Sequence, residues 1–85
     1  MYGLTEPTLT DADIAELHAL RGPQTSPVPD AFLVRLATHY LKAEIEGVIN
    51  PARHLAERLG LIRGTVMTYM RMARLRGLIE RGNKP

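Results

Sequence analysis

The stretch that decides the fold is residues 51–70, PARHLAERLGLIRGTVMTYM. Asn50 stands directly before it and is a favourable helix N-cap. Pro51 suits the first helical position, because the N–H group that proline lacks has no intrahelical partner there. Gly60 suits the position just after a helix end, where the backbone turns left-handed. These signals predict a helix that ends before Gly60, a tight turn, and a second helix.

Apolar residues on both sides of this turn have the spacing expected for two crossing helices. Leu55 and Leu59 recur on one face of the first helix, where Ala56 is small enough to let another helix approach closely. Leu61 fills the turn, and the second helix is predicted over residues 63–76. Its buried seam consists of Val66, Tyr69, Met70 and Ala73. The pattern throughout is that of a helix-turn-helix.

Two further helices are predicted upstream. Thr10 caps the first, and Asp11 and Asp13 suit the positive end of its dipole. We expect Asp30 to cap the second, which ends at Gly47. Its apolar stripe consists of Phe32, Leu33, Leu36, Ala37, Tyr40 and Leu41.

The predicted fold class is all-α, with a three-helix helix-turn-helix core, an additional N-terminal helix and a possible short C-terminal strand in the segment LIER. Residues 1–29 are expected to form an N-terminal helix or arm with a proline-rich loop, and residues 30–85 the helix-turn-helix domain. The loop RGPQTSPVP, residues 21–29, is either an ordered crossing loop or a flexible linker.

Composition restricts the class of protein. The chain has 85 residues and no cysteine, which excludes disulfides, thiolate metal sites and thiol nucleophiles. So short a chain supports one small core and disfavours an enclosed small-molecule site. Because it has no signal-peptide pattern and no apolar run of membrane-spanning length, we expect a soluble, cytoplasmic protein without membrane contact.

Charge is unevenly distributed along the chain. The formal net charge is only +2. Residues 1–30 contain five acids and one arginine, which gives −4, whereas residues 62–85 contain five arginines and one lysine against one acid, which gives +5. This asymmetry favours binding of a polyanion at one face of the molecule. An ordinary solvent-exposed helix face can have the same excess of basic residues.

The segment from residue 51 to residue 79 resembles small helix-turn-helix proteins of actinobacteria and their phages. The resemblance is carried by Leu-Ala-x-x-Leu-Gly-Leu, followed by a helix that ends in Ala-Arg-x-x-Gly-Leu. It covers about the last 55 residues, including the preceding helix. It implies sequence-directed binding of double-stranded DNA, by a transcriptional regulator or a phage-type control protein whose second motif helix enters the major groove.

The resemblance also implies roles for individual residues. The candidates for base contact lie on the exposed side of the second motif helix: Arg63, Thr65, Met67, Thr68 and Arg71. The candidates for phosphate contact are Arg53, Arg58, Arg74, Arg76, Arg81 and Lys84. Base contacts supply specificity, whereas phosphate contacts supply affinity and register.

The alternative is a protein-interaction adaptor that uses the same shape to bind a polymerase, a recombinase or a toxin. RNA binding is a weaker alternative, because the chain lacks aromatic platforms. A homodimer is also possible, since two half-sites double the contacts with DNA.

No enzyme activity and no cofactor are expected. Ser26 has no activating neighbour in the sequence, and no glycine-rich phosphate loop precedes a helix. His18, His39 and His54 fall on three different helices without ligands at metal-binding spacing, so no metal is predicted.

Ile62 stands where a capping serine is expected at the start of the second motif helix. Either that helix starts later, with Thr65 as its cap, or a neighbour buries Ile62. Met67, Met72 and Leu75 lie off the buried seam. Met72 is interpreted as packing under the N-terminal helix rather than forming a partner surface, and the role of Leu75 is left open.

Overall fold

The structure is a computed structural model, and it describes residues 9–23 and 25–79. It contains the helices α1 (Asp11–Arg21), α2 (Asp30–Ile45), α3 (Pro51–Leu59) and α4 (Arg63–Leu75). The all-α prediction with an additional N-terminal helix is confirmed. No strand occurs within these described ranges, and the second half of the predicted C-terminal strand, residues 80–81, lies beyond them.

Local signals set the helix ends much as predicted. The Thr10 hydroxyl accepts a hydrogen bond from the Asp13 backbone N–H, and the Asp13 carboxylate accepts one from the Thr10 N–H, both at 3.1 Å. The Thr10 N–H holds the pKa of Asp13 below its usual value. Asn50 caps α3 through its side chain, and Gly60 ends α3 in the left-handed region at φ 74°.

Two predictions about α2 are wrong. Pro29, not Asp30, is the N-cap residue of α2, and Asp30 is the first helical residue. Leu41 does not lie on the buried stripe, because 43% of it is exposed. The buried arc of α2 is narrower than the apolar pattern, since α1, α3 and α4 cover only one side of the helix.

The predicted start of α4 at residue 63 is confirmed, but neither of the two explanations considered for Ile62 is correct. The helix begins at Arg63, and Ile62 is an extended N-cap residue whose side chain makes no capping hydrogen bond. Ile62 is 72% exposed, so no neighbour buries it. The Thr65 N–H donates to the Ile62 carbonyl at 3.0 Å, which closes the first turn with backbone alone.

The core lies where α2, α3 and α4 meet under α1. Leu33, Leu55 and Val66 are fully buried, and the predicted α4 seam of Val66, Tyr69, Met70 and Ala73 is confirmed. Leu17 of α1 belongs to the same core and is completely inaccessible to solvent. Residues 9–23 are therefore packed on the core, not a detached arm. The Tyr69 ring meets Phe32 edge to face, with centroids 5.1 Å apart.

Two arginines hold the loop between α1 and α2. The buried Arg21 guanidinium donates to the carbonyls of Pro23 (3.3 Å) and Ser26 (3.2 Å), and also to the Tyr69 hydroxyl (3.3 Å). Arg76 donates to the Val28 carbonyl at 2.8 Å. The described residues 22–23 and 25–29 thus form a crossing loop, which Arg21 holds beside Tyr69 of α4 and which Arg76, directly after α4, holds at Val28.

His39 is a buried histidine that no hydrogen bond supports among the described residues. It is 7% exposed, and neither ring nitrogen has a partner there. Burial lowers the pKa of His39, and the nearby positive charges of Arg35 and Lys42 act in the same direction. The Asp13 carboxylate on α1 opposes this change without reversing it.

We expect acid to destabilise the fold through His39. The unfolded chain binds a proton at this residue near its ordinary pKa of 6.5, whereas the folded chain resists protonation. The contribution of His39 to the free energy of unfolding is therefore constant well above pH 6.5 and falls as the pH drops below it. Urea denaturation from pH 8 to pH 5 measures this decline.

His39→Leu should remove most of that decline above pH 5. The exposed His18 provides the matched control substitution, His18→Gln, with which the His39→Leu curve is compared. An equal decline in the His39→Leu variant would contradict the assignment to His39.

Candidate nucleic-acid interface

The outward side of α4 is the most basic helix face in the described part of the chain. At about 100° per residue, the exposed residues Gly64, Thr68, Arg71 and Leu75 form a stripe opposite the buried seam. A second exposed row runs along one flank of this stripe and consists of Arg63, Met67 and Arg74. Together these two rows, which we call the α4 face, contain three cations and no acid.

The arginines of the α4 face have no partner among the described residues. Arg63, Arg71 and Arg74 are exposed, and within the described residues none of them forms an ion pair or a side-chain hydrogen bond. The segment from residue 62 to residue 79 contains no carboxylate that could neutralise them at helical spacing. Three guanidinium groups therefore project into solvent from one rigid element.

The other arginines predicted to contact phosphate are already paired. Arg53 donates to Glu57 on the same helix at 3.1 Å, and Arg58 donates to Asp11 of α1 at 3.1 Å. These pairs are largely solvent-exposed, so each contributes little to stability and can exchange with an external anion.

Arg76 is held more firmly than Arg53 and Arg58. It donates to the Asp30 carboxylate at 2.7 Å in addition to the Val28 carbonyl, so its position supports the loop instead of the α4 face. The predicted candidates Arg81 and Lys84 lie outside the described residues.

The remaining candidates for base contact are divided between two sides of α4. Thr68 lies on the exposed stripe, and Met67 lies beside it at 37% exposure. Thr65 is partly buried and lies on the flank opposite Arg63. Met72 is partly buried against the core, whereas Leu75 is 73% exposed on the stripe itself.

The amino end of α4 adds positive potential to this face. α1 begins with two aspartates and Asn50 caps α3, but α4 has neither a side-chain cap nor an acid in its first turn. The backbone N–H groups of the first two residues of α4, Arg63 and Gly64, thus have no acceptor within the helix.

Gly64 is a helical residue that the packing does not require. A Cβ atom placed there meets no other atom within 4 Å, and its φ is not in the left-handed region. Glycine in a helix costs about 1 kcal/mol relative to alanine. No contact within the protein explains why glycine and not alanine stands at this position. Glycine would be favoured if another molecule approached the helix backbone closely here.

The sequence did not reveal which residues pair with the arginines. Asp11 and Asp30 were interpreted as helix-end residues, yet their carboxylates also hold Arg58 and Arg76. Arg21 received no role, although it connects α1 to α4 through Tyr69. The charge count in each segment was the only signal that the sequence offered, since these contacts join residues 46 to 48 positions apart.

No group of three or more potential metal ligands occurs in residues 9–23 and 25–79. In the same ranges, no helix has the length and apolar character needed to cross a membrane.

The fold and the α4 face together define a small all-α domain with a basic helix-turn-helix surface. Comparison with known proteins found no matching family model, no matching curated protein and no matching solved structure.

Proposed function

We propose that this protein binds double-stranded DNA in a sequence-directed manner through the α4 face, as a transcriptional regulator or a phage-type control protein. The observation that carries the proposal is the distribution of unpaired arginines. Every arginine of α1, α2 and α3 has a hydrogen-bond or ion-pair partner among the described residues, whereas the three on the α4 face have none. The phosphates of DNA would provide the missing negative charges.

The shape of the pair α3 and α4 supports this proposal. Helix α4 follows α3 after a three-residue turn and is buried along one seam. Its other side is therefore presented as a rigid rod. The major groove of B-form DNA accepts a rod of this width. Gly64 would reduce the distance between the helix backbone and the groove.

The two rows of the α4 face suggest different contacts. Thr68 and Arg71 lie on the stripe that points directly away from the core, and we assign them to base edges. Arg63 joins them as a base contact, because the amino end of a recognition helix is the part that most often reaches the bases. Arg74 lies near the opposite end of the helix, and we assign it to a phosphate.

The experiment that tests the proposal is selection of bound duplexes from a random oligonucleotide pool at about 150 mM salt, using the full chain. We expect an enriched sequence motif, and affinity for that motif should fall steeply as salt rises. In a second selection, Arg71→Ala should lose preference at one base pair of the motif. Arg74→Ala should instead weaken binding to all sequences alike.

The exposed apolar residues of the α4 face favour a second candidate, a protein-interaction adaptor. Met67 and Leu75 stand beside the arginines, and a protein partner would bury them. The two functions differ in salt dependence, because an apolar interface does not weaken steeply with salt. Absence of any enriched sequence, together with salt-insensitive binding to a protein, would favour the adaptor.

A further inference from the structure

The outer side of α2 carries an apolar stripe that nothing covers in the described structure. Val34, Leu41 and Ile45 are spaced at i, i+7 and i+11, which places them along one side of the helix. They are 43%, 43% and 85% exposed. Ile49 follows in the connection to α3 and is 96% exposed. These four residues, which we call the α2 stripe, include the two most exposed large apolar side chains of the described chain.

Such an arrangement differs from the scattered apolar residues found on most protein surfaces. Single exposed leucines and isoleucines are common, but a row of them along one helix is typical of a helix-helix interface. The stripe is separate from the α4 face, because it belongs to a different helix and contains no arginine.

Charges on the two sides of the stripe indicate what covers it. Helical geometry places Lys42 on one side and Glu44 on the other, at nearly the same height along α2. Within the described residues, neither side chain forms an ion pair. A partner helix would therefore need an acid beside Lys42 and a base beside Glu44.

A second copy of α2 meets this requirement when the two helices run parallel. A two-fold axis along the helices places Lys42 of each copy beside Glu44 of the other, only about 3 Å apart along the axis. An antiparallel pair centred on the stripe would instead place the two Lys42 side chains on the same side of the interface, which is unfavourable. We propose that a second copy of this chain docks on the α2 stripe through parallel pairing of the two α2 helices.

This proposal goes beyond DNA binding and does not depend on it. Sedimentation velocity of the full chain, from low micromolar to millimolar concentration, should show a reversible monomer-dimer equilibrium. Ile45→Glu places a charge in the stripe and should raise the dimer dissociation constant at least tenfold. Ile45 is so exposed that the substitution leaves the fold intact, which circular dichroism verifies.

Ile62→Glu is the matched control, because Ile62 is 72% exposed but lies outside the stripe, so this variant should dimerise normally. Lys42→Glu should weaken the dimer, and the double variant Lys42→Glu with Glu44→Lys should restore it. A chain that stays monomeric at all concentrations would overturn the proposal, as would a dimer that Ile45→Glu leaves unchanged. Failure of the charge swap to restore the dimer would overturn the parallel arrangement.

Discussion

Simultaneous substitution of the three unpaired arginines of α4 should nearly abolish DNA binding. We expect the variant Arg63→Gln, Arg71→Gln, Arg74→Gln to bind the selected duplex on the order of 100- to 1000-fold more weakly at about 150 mM salt, since the loss of each hydrogen bond to DNA costs about 1 to 1.5 kcal/mol. Fluorescence anisotropy with a labelled duplex measures this decrease in affinity. The slope of log affinity against log salt should decrease by about 0.9 for each phosphate interaction removed.

The fold should survive these substitutions, because all three side chains are exposed and make no hydrogen bond to the rest of the described chain. Arg35→Gln is the matched control for the single variant Arg71→Gln. Both remove one positive charge, but Arg35 lies on α2, where it is paired with Glu16 at 2.9 Å. Equal decreases in affinity from these two substitutions would mean that net charge, not the α4 face, determines binding.

The largest effect on stability should come from Arg21. Its substitution by alanine removes the donor to Tyr69 and to two loop carbonyls, and it leaves a cavity between α1 and α4. We expect Arg21→Ala to lower the free energy of unfolding by about 3 kcal/mol. That is a large share of the total for so small a domain, for which about 5 kcal/mol is typical.

Two further variants separate the causes of this effect. Arg21→Met retains most of the aliphatic volume and should cost less than Arg21→Ala. Among the described residues the buried guanidinium has no carboxylate partner, so its own desolvation is unfavourable. Tyr69→Phe removes only the hydroxyl and should cost about 1 kcal/mol. Urea denaturation at constant pH measures all three variants. An Arg21→Ala midpoint equal to that of the wild type would contradict a structural role for Arg21.

Helix ends were predictable because the signals that set them are local. The cap at Asn50, the proline that follows it and the left-handed Gly60 act within a few residues of chain. The same holds for the reciprocal hydrogen bonds between Thr10 and Asp13. At the start of α2 the prediction was wrong. Aspartate is a preferred cap residue, but the N-cap is Pro29 and Asp30 is the first residue of the helix. In the structure the Asp30 carboxylate pairs with Arg76 instead.

The width of a buried helix face was less predictable. The apolar pattern of α2 included Leu41, but a helix buries only the arc that its neighbours cover. The packing of α1, α3 and α4 sets that arc, and periodicity contains no information about their positions. Leu41 belongs instead to an exposed stripe with Val34 and Ile45.

The amino-acid sequence by itself determined the four helices, the tight turn at Gly60 and the basic character of α4, because periodicity, capping and charge act over short distances along the chain. Only the tertiary structure decided which arginines remain unpaired. Asp11 reaches Arg58 and Asp30 reaches Arg76 across 47 and 46 residues of chain, respectively, once the helices pack. Since ion pairs depend on distance in space and not on separation in sequence, folding neutralises some predicted candidates and leaves Arg63, Arg71 and Arg74 facing solvent together.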